Sequence, residues 1–436
     1  MARVALYGSG GAPYHHAAIL AQAGHRVSFV FPPDIEDGAL AAFDAFVMPG
    51  GGYRAMQGQL EPLGAAGCRA IREFVEDGGM YVGSCAGSYD AATVPARFLE
   101  VCPVQAELRL LGARVWNEGD SPFGVLASPG IGELIAGNAA PAHPVMAGMP
   151  ARFSITHYNG PFFTGGQALA RVMAAGKQFT PAEQFLGGRG PQGQSLLVDR
   201  AAAAGAANIV AGTRGAGRVV LFGSHPEFGL TISLDDLAIT ARLLANAIDW
   251  QLAESGAPDR PDIQVISERP VRPGTLAADL AALPALADRI TERAARLRER
   301  TGEPWLDENN AMSMLGLTPR EIWTAALDRI PGLADEAAHD AGAVPAALVS
   351  FAPPAQWPVD GGFHGIRPLL TQAERQLEQA EANWRDGWPG AVSDGYDYML
   401  ESPYHLVAGS YLAAIGQVTS AALLSRMGRA GTAAQA

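Results

Sequence analysis

Cysteine is scarce in this chain. Only Cys68, Cys85 and Cys102 occur among 436 residues. So small and odd a number excludes a disulfide framework and fits a reducing compartment, so a cytoplasmic location is expected. Charge is thin as well: charged residues make up 17% of the chain and the formal balance is -13. That balance leaves no basic excess for nucleic acid or an anionic membrane, although one local site could still hold a small anion. No C-x-x-C pair and no H-E-x-x-H element is present, so neither a metal site nor a cofactor is expected. The first apolar run, Val4-Ala5-Leu6-Tyr7, is too short for a signal-peptide core and reads as a strand. Leu406–Ser425 carries no charge over a span near membrane thickness, but Ser410, Gln417, Thr419 and Ser420 make it only mildly apolar. A buried helix, with no membrane association, is the expectation there.

Apolar residues supply 48% of the chain, enough for two or three domains with sizeable cores. The first half alternates short aliphatic runs with helical patterns. Val4–Tyr7, Val27–Phe31, Ala45–Met48 and Met80–Val82 read as strands; Pro13–Ala23 and Leu63–Glu76 read as helices. This alternation predicts a parallel sheet covered on both faces. From Pro95 to Thr164 the pattern loosens into an irregular β region. Ile209–Gly212 and Val219–Phe222 form an expected hairpin, and Leu234–Leu252 a closing helix. Residues 253–275, rich in Pro, Gly and charge, read as a linker. Beyond it the strand signals fade. Ala277–Arg300, Pro319–Ile330, Pro368–Trp384 and Tyr404–Met427 read as helices, and five of the seven tryptophans fall in this part, where a small helical core is expected ahead of the alternative, an aromatic-lined groove for a substrate or partner. The expected organisation is therefore an α/β domain over 1–252, the linker, and a mainly helical domain over 276–436 whose role the residues do not reveal.

The chemistry concentrates at two strand ends. Gly83-Ser84-Cys85-Ala86-Gly87 follows an aliphatic run and has the G-x-nucleophile-x-G form of a sharp strand-to-helix elbow. Far downstream, Val219–Phe222 ends in Gly223-Ser224-His225-Pro226-Glu227. A thiol is a weak nucleophile until it loses its proton; an imidazole can take that proton, and a carboxylate can hold the imidazole. Parallel strands deliver their carboxyl ends to one sheet edge, so Cys85, His225 and Glu227 are expected to form one triad. The helix N-terminus behind Cys85 favours a thiolate. Acyl transfer also needs donors for an oxyanion. Ala86 N–H is one, and a backbone N–H of Gly51 or Gly52, in Pro49-Gly50-Gly51-Gly52, is the natural second. Tyr53 and Tyr89 are placed to line a pocket, together with Ser88 after the elbow. His157, Tyr158 and Asn159 could contact a substrate. His15 and His16 open the first helix beside a glycine loop; they could face the site, although histidines in such a position are more often exposed.

Met48-Pro49-Gly50-Gly51-Gly52, Gly83-Ser84-Cys85-Ala86-Gly87 and His225-Pro226-Glu227 resemble, in order and role, the class I glutamine amidotransferase-like superfamily. Within it, Val4–Ala12, Cys85-Ala86-Gly87-Ser88-Tyr89 and Thr156-His157-Tyr158-Asn159-Gly160-Pro161 are most similar to the domain at the N-terminus of eukaryotic biotin–protein ligases. The resemblance covers residues 1 to about 252. It implies a flavodoxin-like sheet, with Cys85 as nucleophile, His225 as base and Glu227 as its orienting partner. Glutaminases of the superfamily hold glutamine with a Gln shortly after the nucleophile, where this chain has Ser88-Tyr89, so another amide is the expected substrate. The expected activity is a hydrolase or acyl/amido transferase acting on a small-molecule amide through a Cys85 thioester. A glutaminase feeding ammonia to a separate synthetase or biosynthetic enzyme, and a non-catalytic binding or regulatory protein, are the alternatives. A homodimer stays open.

Overall fold

The computed structural model describes residues 1–50, 56–116, 130–177, 179–181, 195–228, 239–255, 261–302, 319–353, 363–385 and 403–433. It divides into two compact units, the boundary falling after Glu268. The first is a mixed α/β sheet with parallel strands, and the second is helical.

Among the described residues, 12 strands form one sheet. They are β1 (Arg3–Tyr7), β2 (Arg26–Val30), β3 (Ala45–Met48), β4 (Met80–Ser84), β5 (Arg114–Val115), β6 (Gly130–Asn138), β7 (Arg152–Tyr158), β8 (Phe163–Thr164), β9 (Gln167–Ala175), β10 (Thr180–Pro181), β11 (Ala207–Arg214) and β12 (Gly217–Phe222). One half is parallel in the order β2-β1-β3-β4-β12. These strands are the aliphatic runs of the sequence. β3 and β4 are buried along their whole length, as expected for a sheet covered on both faces.

Beyond β12 the sheet turns antiparallel through β11, β9 and β6. The region read as irregular between Pro95 and Thr164 therefore holds two long strands, β6 and β7, paired antiparallel. Exposed and buried positions mix along β9, so no continuous apolar run advertises it. The parallel sheet expected from the strand–helix alternation is thus one half of a mixed sheet. The hairpin β11–β12 forms as read, with Gly215 of its Gly215-Ala216 turn at φ 58.

Helix α1 (Tyr14–Gln22) follows β1, and α2 (Met56–Glu76) precedes β4. The latter starts before the expected Leu63 and is broken at Gly64, whose φ of 57 and ψ of -173 are not helical. The elbow helix α3 (Ala86–Ala91) follows β4, and α4 (Ala241–Ser255) follows β12. The first part of the expected closing helix, 234–238, lies outside the described residues.

Part of the segment read as a linker is docked. Val265 is fully buried in the core of the first unit. Ser267 Oγ donates to the Phe29 carbonyl at 2.5 Å, Ile266 N–H donates to Asp34 Oδ1 at 2.8 Å, and Ser28 Oγ donates to Glu268. Composition signalled an open connection, but two aliphatic side chains, Ile263 and Val265, find apolar partners.

The second unit contains α5 (Pro273–Arg300), α6 (Pro319–Asp340), α7 (Ile366–Arg385) and α8 (Pro403–Ala433). All four expected helices are present, each longer than its sequence signal. Helices α5 and α6, α6 and α8, α7 and α8, and α5 and α7 pack as neighbours. Leu283, Ile290, Trp323, Ile330, Leu377 and Leu424 are among the side chains they bury. Arg289 and Arg296 of α5 pair with Glu374 and Glu381 of α7, and Arg426 of α8 pairs with Glu336 of α6. Such pairs at a surface add little stability, so the apolar interior carries the packing. Trp305, Trp357 and Trp388 lie outside the described residues. No helix among the described residues is long and apolar enough to cross a membrane.

Candidate active site

Parallel strands β1, β3, β4 and β12 end at one sheet edge, and the site is built from the residues just beyond those ends. At the end of β4 the chain reverses into α3 through Cys85, whose φ of 49 and ψ of -110 are unusual for a residue with a side chain. Several bonds hold this strained residue. Cys85 N–H donates to the Phe222 carbonyl at 2.9 Å, and its own carbonyl accepts from Ser88 and Tyr89 N–H groups. A Cβ on Gly83 would strike the Gly87 carbonyl, and one on Gly87 would strike the Met48 carbonyl. The two glycines of the motif thus serve strand–helix contact. As the first residue of α3, Ala86 has an N–H with no acceptor inside its helix.

His225 leaves the end of β12. Its N–H donates to the Thr156 carbonyl at 2.8 Å, which ties it to β7. Two aromatic rings meet its imidazole: Phe228 stacks on it at 4.5 Å and Tyr158 lies edge-on at 6.3 Å. Nδ1 lies 2.6 Å from Glu227 Oε1, and both side chains are buried. Among the described residues, His225 Nε2 has no hydrogen-bond partner. Cys85 and His225 flank the same glycine: a Cβ on Gly50 would lie 2.6 Å from Cys85 Cβ and 2.7 Å from His225 Cε1. The thiol is turned toward the Tyr158 carbonyl at 3.2 Å.

Burial by itself would lower the pKa of His225. The Glu227 carboxylate overrides it, with Cys85 adding to the effect, and raises the imidazole to about 10. Burial likewise opposes ionisation of Glu227, but His16 and His225 hold its carboxyl down at about 2. An imidazole held in this way can store a proton taken from a neighbouring thiol. Cys68 is the contrast: burial, then Asp90 and other negative neighbours, push its thiol up to about 12.

The residues expected to contact substrate separate into distinct groups. Tyr158 reaches the site through its ring and its carbonyl, and Asn159 follows it at φ 53. His157 points the other way. It is fully buried, bonded through Nδ1 to Ser224 Oγ at 2.8 Å and stacked on Phe162; burial lowers its pKa to about 3. Ser88 is also corrected. Its hydroxyl lies 2.8 Å from the Gly83 carbonyl and 2.7 Å from that of Phe222, fastening the elbow to β12, and no part of it is exposed. Tyr89 is a member of the apolar core, with burial raising its phenol pKa. Gly51, Gly52 and Tyr53 lie outside the described residues.

Sequence reasoning underrated His16. It is fully buried, with Nε2 3.0 Å from Ser84 Oγ and 3.6 Å from Glu227 Oε2. Its position at the start of the helix after β1, which shares a sheet edge with the elbow, was the available signal. Adjacent His15 lies edge-on to Phe228 at 4.8 Å. Phe228, directly after Glu227, was not recognised either. Among the described residues, no three His, Cys, Asp or Glu side chains are grouped to hold a metal ion.

Comparison with known proteins adds one family match. The family described as "Biotin-protein ligase, N terminal" matches residues 39–99, which span β3, α2, β4 and the elbow. No curated protein matches the chain significantly. Solved structures that are similar include a cytoplasmic protein of Salmonella typhimurium, STM3548, at 15% identity and a TM-score of 0.33, covering 57% of this chain and 98% of its own. PurLQS from Thermotoga maritima is 14% identical at a TM-score of 0.34, covering 58% and 97%. A ThuA-like protein of Bacteroides uniformis is 13% identical at 0.33, covering 58% and 92%.

Proposed function

We propose that the first unit is a cysteine-dependent hydrolase or acyl/amido transferase of the class I glutamine amidotransferase-like superfamily, with a flavodoxin-like arrangement of its parallel strands. It acts on the carbon–nitrogen bond of a small-molecule amide. The observation that carries this reading is the buried His225–Glu227 pair, whose imidazole shares the Gly50 contact with Cys85. The family match across the elbow supports it from the sequence side.

In the proposed reaction Cys85 gives its proton to His225 Nε2 and its sulfur attacks the amide carbonyl carbon. The carbonyl electrons move onto oxygen, where Ala86 N–H and a backbone N–H of Gly51 or Gly52 receive the charge. As the tetrahedral intermediate collapses, the C–N bond breaks and His225 returns the proton to the leaving nitrogen. A thioester on Cys85 remains. Water, or an amine acceptor, then gives a proton to His225 and displaces the sulfur. Glu227 stabilises the imidazolium at each stage. Ser88, whose hydroxyl is engaged by two carbonyls, is not available to hold a glutamine side chain. This favours a different amide over a glutaminase that supplies ammonia to a synthetase.

Alkylation with iodoacetamide, read by peptide mass spectrometry, tests the proposal. Cys85 is expected to label first, Cys68 last, and His225→Ala to slow labelling of Cys85. Cys85→Ala is expected to keep the fold and lose amide turnover. Equal labelling of all three cysteines, or no response to His225→Ala, would overturn the triad.

A further inference from the structure

A buried carboxylate must have its lone pairs met by donors, because an unpaired charged oxygen away from water is costly. Glu227 satisfies Oε1 with His225. Oε2 has no hydrogen bond of normal length among the described residues. The imidazole of His16 stands beside it, with Nε2 at 3.6 Å. The same nitrogen is 3.0 Å from Ser84 Oγ, the residue before Cys85. His16 therefore stands between the two halves of the proposed triad, reached from a third strand end through α1.

The tautomer follows from the surroundings. Nδ1 of His16 has no partner among the described residues. With the proton on Nδ1, a buried donor would go unmet and the Nε2 lone pair would face a carboxylate oxygen. With the proton on Nε2, the N–H donates to Ser84 Oγ and turns its positive end toward Glu227 Oε2 at 3.6 Å, and only a lone pair is left over. Burial, the largest influence, keeps this imidazole neutral, and the charge of His225 assists against the pull of Glu227. A neutral His16 acts on Glu227 as an N–H dipole; its positive charge, which helps hold Glu227 down at about 2, arises only at the low pH where both groups titrate.

We propose that His16 is a positioning residue: its Nε2–H clamps the free oxygen of Glu227 and, through Ser84, ties that carboxylate to the base of the Cys85 elbow. This rests on the triad reading above. Among the described residues, the titratable groups facing Glu227 are His225 from its own turn and His16 from α1; Cys85 couples to it through His225. Loss of the clamp leaves the carboxylate freer to turn from His225, which weakens the imidazolium and with it the reactive form of the thiol.

The test uses the full chain and iodoacetamide, with the labelling rate of Cys85 followed against pH. His16→Leu removes the donor; His16→Gln keeps an N–H at a similar reach without a titrating ring. The Leu variant is expected to shift the labelling profile upward by about one pH unit, which is about tenfold slower labelling on its acid limb. The Gln variant is expected to restore the parent profile. An unchanged profile in His16→Leu, where His225→Ala does alter it, overturns the clamp and leaves the triad standing. An unchanged profile in both His16→Leu and His225→Ala overturns the triad, and the clamp with it. Should His16→Leu not fold, histidine nitrogen NMR spectra of the unsubstituted protein decide. A neutral ring protonated at Nε2 supports the proposal, and a proton on Nδ1, or an imidazolium at neutral pH, overturns it.

Discussion

His225 and Glu227, two residues apart, form a buried pair in which Nδ1 lies 2.6 Å from Oε1 and neither side chain is more than 3% exposed. Their opposed pKa shifts make the stability of the site depend on pH. The raised His225 contributes fully below its ordinary 6.5, a contribution lost as pH rises through about 10. The depressed Glu227 contributes fully above its ordinary 4.5, a contribution lost as pH falls through about 2. Parent and Glu227→Gln are therefore expected to differ most in urea-unfolding free energy between pH 4.5 and 6.5, converging on either side. In Glu227→Gln, only Cys85 still opposes the effect of burial on His225, and NMR should find its titration moved to lower pH. A difference in stability that is flat with pH would refute the pairing.

Gly50 lies against both the nucleophile candidate and the imidazole. A methyl group there would press on Cys85 Cβ at 2.6 Å and His225 Cε1 at 2.7 Å. Gly50→Ala is expected to cost about 1–3 kcal/mol by overpacking. It should also slow Cys85 alkylation more than the stability loss explains. Rates and urea midpoints measured on the same preparation check both effects, and parent-like alkylation would mean that the two side chains need not meet across Gly50.

Ser88 is expected to matter for stability and not for substrate affinity. Ser88→Ala removes the only donor of a side chain that lies against the Gly83 and Phe222 carbonyls. A loss of about 1 kcal/mol in urea unfolding is expected. Once a turnover assay exists, KM should be unchanged. A raised KM at parent stability would return Ser88 to the substrate pocket.

The first unit should fold better when cut after Glu268 than when cut after Ser255. The longer piece keeps Val265 in the core and the bonds from Ile266 and Ser267. Burying Val265 alone is worth roughly 1.5–3 kcal/mol. Thermal melts of the two pieces should differ clearly in favour of the longer one; equal melting would show that the docked segment adds nothing.

Local sequence chemistry was enough to place the parallel strands, the elbow and the hairpin. Each rests on nearby residues: an aliphatic run, a glycine pair round Cys85, the Gly215 turn. It was enough as well to nominate Cys85, His225 and Glu227, because residues after parallel strands share an edge whatever the rest of the chain does. The antiparallel arm was not legible, since β9 mixes buried and exposed positions and its pairing depends on segments far away in sequence. Nor could the sequence say which way a polar side chain faces. Ser88, Tyr89 and His157 sit beside the site in sequence, yet packing turns them to carbonyls, core and Ser224. His16 and Glu227 lie at opposite ends of the first unit's sequence, and only the folding of α1 over the sheet edge brings that imidazole within 3.6 Å of the carboxylate. Residue type and spacing determined what chemistry the chain carries. Burial and long-range packing decided which of those groups meet.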